Sequence, residues 1–290
     1  MVQILLVLLS LFGVAFAFQL GRTLLKQGGY APAPEAIALG AVTNFFDSLG
    51  IGSYAPSTAW IRLRRLTADA NIPATLTVGH CLPSVVEALI FIQIVKVDPI
   101  LLAGCIGSAV LGSIVGVRLV VRAPVRVVQG MVGIALTLAA IAFAMTNLKL
   151  MPGGGTALSL PLAVMLLVFA VHFVLGALMT FGIGMYAPSL ILLSLLGLNP
   201  VAAFPIMMGA CAFLMPVAGV EFLRKQRLDL RVVTGIALGG IPAIFVGAFL
   251  VKSLPLTMVR WGVVVVVVYA ALQLLLSAFR AAKPAPAPAT

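Results

Sequence analysis

Apolar runs of transmembrane length, separated by short polar or basic clusters, set the pattern of this chain. A bilayer core of roughly 30 Å takes about 20 consecutive apolar helical residues. On that measure the pattern predicts full spans at about residues 73–95, 99–121, 125–145, 201–223, 231–251 and 256–279. Residues 2–18 form a further apolar run. Its Ala15-Phe16-Ala17 stretch resembles a signal-peptide cleavage site, but no basic segment precedes it, so it reads as a first transmembrane helix. Arg22 and Lys26 follow. Two further stretches are helical but interrupted: about 35–49 with a short helix ending in Arg62, Arg64 and Arg65, and about 160–181 with a short helix to about 196.

The interruptions are one phrase written twice. Gly50-Ile51-Gly52-Ser53-Tyr54-Ala55-Pro56-Ser57 returns as Gly182-Ile183-Gly184-Met185-Tyr186-Ala187-Pro188-Ser189, identical at seven of eight positions. Glycine frees the backbone where a helix stops, and proline suits the first turn of the next. Each copy therefore reads as a helix end, a sharp break and a new helix N-terminus. Such a break leaves backbone N–H groups unpaired, which a membrane tolerates only where protein or a water-filled cavity surrounds it.

The repeat divides the chain into an N-terminal helix and loop (1–30), a first repeat (31–150), a linker (151–158) carrying Pro152-Gly153-Gly154-Gly155, a second repeat (159–282) and a disordered tail (283–290) of alternating proline and alanine. The pieces flanking the first break, about 15 and 12 residues, reach only about 22 and 18 Å. Either they make one broken span, or they form a re-entrant hairpin that enters and leaves on one side. Loop charge separates the two. Arg62, Arg64 and Arg65, and then Arg118, Arg122 and Arg126, are basic clusters, with only Lys96 beside Asp98 between them. In the second half residues 194–200 are uncharged, Arg224, Lys225, Arg227 and Arg231 cluster in the next loop, and Lys252 stands alone. Equivalent loops carry opposite bias, so the positive-inside rule turns the halves upside down relative to each other. That arrangement also puts Arg22, Lys26, Arg280 and Lys283 inside, whereas a single broken span strands the cluster at 224–231 outside. The predicted fold is an all-α polytopic membrane protein: two inverted-topology repeats, each a broken or re-entrant helical hairpin plus three transmembrane helices, with an extra N-terminal helix.

Composition agrees. The chain is 62% hydrophobic and 9% charged, with a mean hydropathy of +1.23, against about 25% charged residues in a soluble domain. A net charge of +11 raises nucleic acid as a partner, but the basic residues sit in short clusters between apolar runs, as membrane-flanking charges do. Cys81, Cys105 and Cys211 lie in apolar segments with neither disulfide nor zinc spacing. No cofactor and no metal is expected.

The two phrases, together with Asn44-Phe45-Phe46-Asp47 and Pro205-Ile206-Met207-Met208-Gly209, resemble the TauE/SafE sulfite exporter family, also called TSUP. The resemblance covers nearly the whole chain after the first helix. It implies export of small sulfur-containing anions, sulfite or C2 organosulfonates, across a bacterial inner membrane. Many members carry a longer glycine run than the Gly-Ile-Gly-Ser and Gly-Ile-Gly-Met found here.

The residues themselves point to an anion site. A helix N-terminus offers partial positive charge and free N–H donors, so two opposed short helices starting near Tyr54 and Tyr186 aim both positive ends at one midplane point. Gly50, Gly52, Gly182 and Gly184 open the breaks, while Ser53, Ser57, Ser189, Tyr54 and Tyr186 add hydroxyl donors. The competing reading gives the glycines to close packing and the hydroxyls to local carbonyls. Asp47 precedes the first break and Asn44 shares its face one turn earlier; such a buried acid is structural or part of a proton path. His80 suits proton coupling or a satisfied core position equally, and His172 is similar. Glu87 and Glu221 recur just beyond Pro83 and Pro216, which favours an architectural role such as pairing with a loop arginine.

Two other classes compete. A membrane-embedded lipid-diphosphate enzyme needs acids and arginines clustered at one face, and no such set neighbours the breaks. A structural scaffold leaves the midplane breaks without purpose. The expected function is therefore anion export through a midplane site driven by the membrane potential, with a proton-coupled permease as alternative and no catalytic residues. Expected partners are the small anion, the lipid bilayer and a second copy of the chain in a homodimer; the C-terminus is expected in the cytoplasm.

Overall fold

The computed structural model describes residues 1–27, 31–124, 155–225 and 228–250, with scattered positions in 125–150. The expected span 256–279, the tail, Arg126, Arg227, Lys252, Arg280 and Lys283, most of span 125–145 and residues 151–154 of the linker lie outside the described residues.

Ten α-helices are described: α1 (Val2–Gln27), α2 (Pro34–Ser48), α3 (Tyr54–Arg64), α4 (Ile72–Gly79), α5 (Cys81–Ile94), α6 (Pro99–Arg122), α7 (Leu162–Met179), α8 (Tyr186–Leu195), α9 (Pro200–Lys225) and α10 (Leu230–Leu250). Among the described residues, six helical runs are long and apolar enough to cross a membrane: α1, the run Asp69–Ile94 through α4 and α5, α6, α7, α9 and α10. The chain is a multi-pass membrane protein. The expected span 73–95 is split at His80, because Pro83 cannot return an N–H to the carbonyl of Gly79 and its ring crowds that carbonyl. Helix α1 runs past its expected end at residue 18 through Arg22 and Lys26.

The two interrupted stretches are hairpins whose ends meet. Near the start of α2, Glu35 accepts from Trp60 Nε1 at 3.1 Å and pairs with Arg64 Nε at 2.6 Å, both near the end of α3. Those hydrogen bonds, Arg64 first and Trp60 second, hold the Glu35 carboxyl below its ordinary range. In the other half Ala157, before α7, bridges Leu198, after α8, and accepts from the Asn199 N–H at 2.8 Å. Each mouth is docked on the other half. Ala33 N–H donates to the Arg231 carbonyl in the first turn of α10 at 3.2 Å, and Asp98 N–H in the α5–α6 loop donates to Leu158 O at 3.0 Å. Asp98 and Asp229 then cap the following helices alike: Asp98 accepts from Ile100 and Leu101, Asp229 from Arg231 and Val232.

These contacts fix directions. The first hairpin opens at the end of the bundle that carries Arg62, Arg64, Arg224, Lys225 and Arg231; the second opens at the opposite end, beside Lys96 and Asp98. Helix α6 starts at that opposite end, so its last turns return Arg118 and Arg122 to the basic end. Packing is reciprocal too: α2 lies along α10 and α7 along α6, while α9 packs on α4 and α5 at the centre. Both long contacts are close backbone approaches through glycine. A methyl group on Gly40 or Gly239 would strike the backbone at Ile236 or Ile37, and one on Gly112 or Gly176 the backbone at Phe173 or Ala109. Without a hydrophobic drive between helices in lipid, such close van der Waals contact is what holds them. Helix α1 lies outside this frame against α5 and α9, burying Leu9, Phe16 and Leu20 and exposing Ile4, Leu11 and Phe18.

Candidate functional site

Both breaks begin with the same turn. Gly50 N–H returns to Asp47 O and Ile51 N–H to Phe46 O; Gly182 N–H returns to Met179 O and Ile183 N–H to Leu178 O. This paired closure needs a left-handed residue after the helix, and Gly50 (φ 75°) and Gly182 (φ 89°) provide it. Gly52 is also left-handed at φ 89°. Gly184 is not, so its lack of a side chain serves contact rather than conformation.

The contact is with the other half. A Cβ on Gly184 would stand 3.3 Å from Tyr54 Cβ, and one on Gly52 would stand 3.6 Å from Tyr186 Cβ. The heads of α3 and α8 thus meet across the molecule and line one cavity of ≈ 590 Å³. Its walls are mainly apolar, with Leu175, Met179, Ile183 and Met215 among them and Ile134 and Leu138 from the partly described stretch. Neither lysine nor arginine is among its described lining residues. Among the described residues, the amides of Tyr54 and Ala55, and of Tyr186 and Ala187, donate to no protein acceptor, and the prolines that follow have none to donate. Two helix heads with four free amides supply the positive potential of the site.

The sequence-predicted residues divide into two groups. Asp47, Gly52, Ser53, Tyr54, Gly182, Gly184 and Tyr186 line the cavity; Asn44, Gly50, Ser57, His80 and Ser189 stand behind it. Asp47 bridges the first break, Oδ1 accepting from Ser53 N–H at 2.8 Å and Oδ2 from Ser53 Oγ at 3.0 Å. The second break has Met179 and Met185 in those places and no such bridge.

The group behind the cavity forms two clamps. Asn44 Nδ2 donates to Gly40 O, which turns its Oδ1 toward His80 Nδ1 at 3.0 Å. His80 therefore donates from Nδ1, and its Nε2 accepts from the Ser57 hydroxyl at 2.9 Å. His172 Nδ1 faces the Val168 carbonyl, so its Nε2 accepts from the Ser189 hydroxyl at 3.0 Å. Ser57 and Ser189 occupy matching places in the repeated phrase, yet their histidines come from different elements: His80 from the α4–α5 junction, His172 from α7. Both histidines are fully buried.

Two expectations are corrected. Glu87 and Glu221 are not counterparts. Glu87 is fully buried and accepts from Tyr186 OH at 2.6 Å, whereas Glu221 is partly exposed and lies 3.8 Å from Lys225. The serine and tyrosine hydroxyls expected to face an anion are already engaged: besides the pairs above, Tyr54 OH donates to Thr77 Oγ1 at 3.2 Å. Ser84, which the sequence reading passed over, lines the cavity. Its i, i+3 spacing to Glu87 on α5 was the available signal, hidden in an apolar span.

The family model described as Sulfite exporter TauE/SafE matches residues 163–290. The match spans α7, the second break, α8, α9 and α10 and includes the Pro205–Gly209 stretch; the first phrase and Asn44–Asp47 lie outside it. No curated protein and no solved structure matches the chain. Over residues 163–290 the chain is thus similar to the sulfite exporter TauE/SafE family, also called TSUP.

Proposed function

We propose that this membrane protein exports small sulfur-containing anions, of the sulfite or organosulfonate type, through the cavity where its two breaks meet. The observation that carries the reading is the mutual seating of the breaks, Gly52 against Tyr186 and Gly184 against Tyr54, with unpaired helix-head amides around an otherwise apolar cavity. Donors without full positive charge suit a ligand that must be released as well as bound. Residues 31–150 and 159–282 form two inverted repeats in this reading. Support comes from the hairpins opening at opposite ends and from the reciprocal α2–α10 and α6–α7 contacts. Exchanging the conformations of such halves opens a midplane site to either side in turn.

The bilayer is the bacterial inner membrane, with the basic end and the C-terminus in the cytoplasm by the positive-inside rule. An inside-negative potential then drives a monoanion outward by about 2.3 kcal/mol per 100 mV. Proton coupling is the second reading. Its support comes from Asp47 and Glu87, which the bundle buries beside the cavity, rather than from His80. No enzymatic step is assigned to the site. Purified protein in liposomes, screened with labelled sulfite, ethanesulfonate, sulfate and chloride, tests the proposal. Flux of the sulfur oxyanions above protein-free liposomes supports it, and flux of none of them contradicts it.

A further inference from the structure

Four described cavity-lining residues carry a hydroxyl: Ser53, Tyr54, Ser84 and Tyr186. Three of them donate to protein acceptors, to Asp47, Thr77 and Glu87 respectively. The Cys211 thiol is also engaged, with Met179 Sδ at 3.6 Å. Ser84 is different. It is 1% exposed, and its Oγ has no hydrogen-bond partner among the described residues.

That vacancy is not the habit of helical hydroxyls in this chain. Thr43, Ser48, Thr77 and Ser113, all buried in helices, and Thr180, just past the end of α7, turn back to a carbonyl three or four residues earlier at 2.7–2.8 Å. Ser84 has the same option in the carbonyl of His80, which accepts from its backbone N–H at 2.9 Å, and leaves its hydroxyl out of that bond. A buried polar group without a partner costs free energy, so a hydroxyl held this way at the wall of a binding cavity is kept for a partner that comes and goes. Thr58 Oγ1 is equally unpartnered but sits on α3 away from the cavity. Glu87, one turn beyond Ser84, does not line the cavity either, and its Oε2 is held by Tyr186.

We infer that Ser84 is the side-chain donor that binds the transported oxyanion, acting with the free amides at the heads of α3 and α8. The inference rests on the transport reading for the identity of the ligand, and it adds a specificity-determining residue to it. The hydroxyl is a single neutral donor one torsion away from the cavity. It grips a sulfite or sulfonate oxygen while the amides face the remaining oxygens, and it leaves no fixed charge to trap the anion. In the second half Val217 follows Pro216 where Ser84 follows Pro83, so the donor belongs to one half only.

Equilibrium binding of radiolabelled sulfite and ethanesulfonate to the purified full chain, beside liposome flux of the same probes, tests this. A hydrogen bond to a charged group is worth enough that Ser84→Ala weakens binding about tenfold, while Ser84→Thr, which keeps the hydroxyl, stays within about twofold of wild type. The half-saturating concentration for flux rises with the dissociation constant, and the maximal rate does not fall in parallel. Thr58→Val, which removes the other unpartnered hydroxyl, leaves binding unchanged. Wild-type affinity in Ser84→Ala, or an equal loss in Thr58→Val, overturns the inference. Binding that depends on Ser84 without any flux upholds it and overturns the transport reading; a wild type that binds neither probe overturns both.

Discussion

Tyr186, at the head of α8, donates a 2.6 Å hydrogen bond to Glu87, a carboxyl on α5 that stands 99 residues earlier and in the other half of the chain. The bond ties a break of the second half to a helix of the first, and the other Glu87 oxygen has no partner among the described residues. Removing the phenol leaves a fully buried carboxyl with neither oxygen satisfied. Tyr186→Phe is therefore expected to lower stability by about 1–3 kcal/mol, while Glu87→Gln, which keeps an oxygen for the hydroxyl, costs less. Thermal unfolding in detergent reads both. A Tyr186→Phe protein as stable as wild type removes the bond from the account.

The breaks depend on glycine for two separable reasons. Gly182 and Gly52 are left-handed, where a Cβ costs about 1–2 kcal/mol, so Gly182→Ala and Gly52→Ala each lower stability by about that amount. Gly107, on α6 with open space around it and ordinary φ, should accept alanine without loss. Gly184→Ala carries no backbone strain but presses on Tyr54 Cβ at 3.3 Å, and its effect falls between these. Unfolding midpoints of the four variants decide it; equal losses at Gly182 and Gly107 contradict the assignment.

Side-specific labelling tests the orientation. On a background lacking Cys81, Cys105 and Cys211, all buried, single cysteines at Lys225 and Leu66 are expected to resist a membrane-impermeant maleimide added to intact cells. A cysteine at Lys96 is expected to react. Labelling of position 225 from outside together with protection of position 66 would break the shared basic end on which the inverted reading depends.

Much of this was legible in the chain. The repeated Gly-Ile-Gly phrase marks both breaks, and loop charge favours the hairpin reading, with which the Glu35–Arg64 pair at the ends of α2 and α3 agrees. What could not be read was who satisfies whom. Ser57 and Ser189 look like ligand donors in sequence. Their histidine partners lie 23 and 17 residues away, one on a following element and one on a preceding one, so no fixed spacing reveals them. Gly184 follows the same Gly-Ile pair as Gly52 yet does not share its φ; Met185 stands after it where Ser53, bridged by Asp47 from six residues back, stands after Gly52. Ser84 was invisible for the opposite reason. A serine in an apolar span ordinarily bonds its own helix, and only the three-dimensional neighbourhood shows that this one does not.

The central claim is that an anion crosses at the meeting of the two breaks, driven by voltage, and one measurement addresses it most directly. Liposomes containing the protein are loaded with labelled sulfite, and an inside-negative potential is imposed with potassium and valinomycin. Efflux should accelerate, a pH gradient alone should do little, and Gly52→Val should abolish the acceleration. His80→Ala should preserve it, because both ring nitrogens of His80 are committed to Asn44 and Ser57. Efflux that follows the pH gradient, ignores voltage and disappears in His80→Ala would contradict the account and install a proton-coupled mechanism in its place.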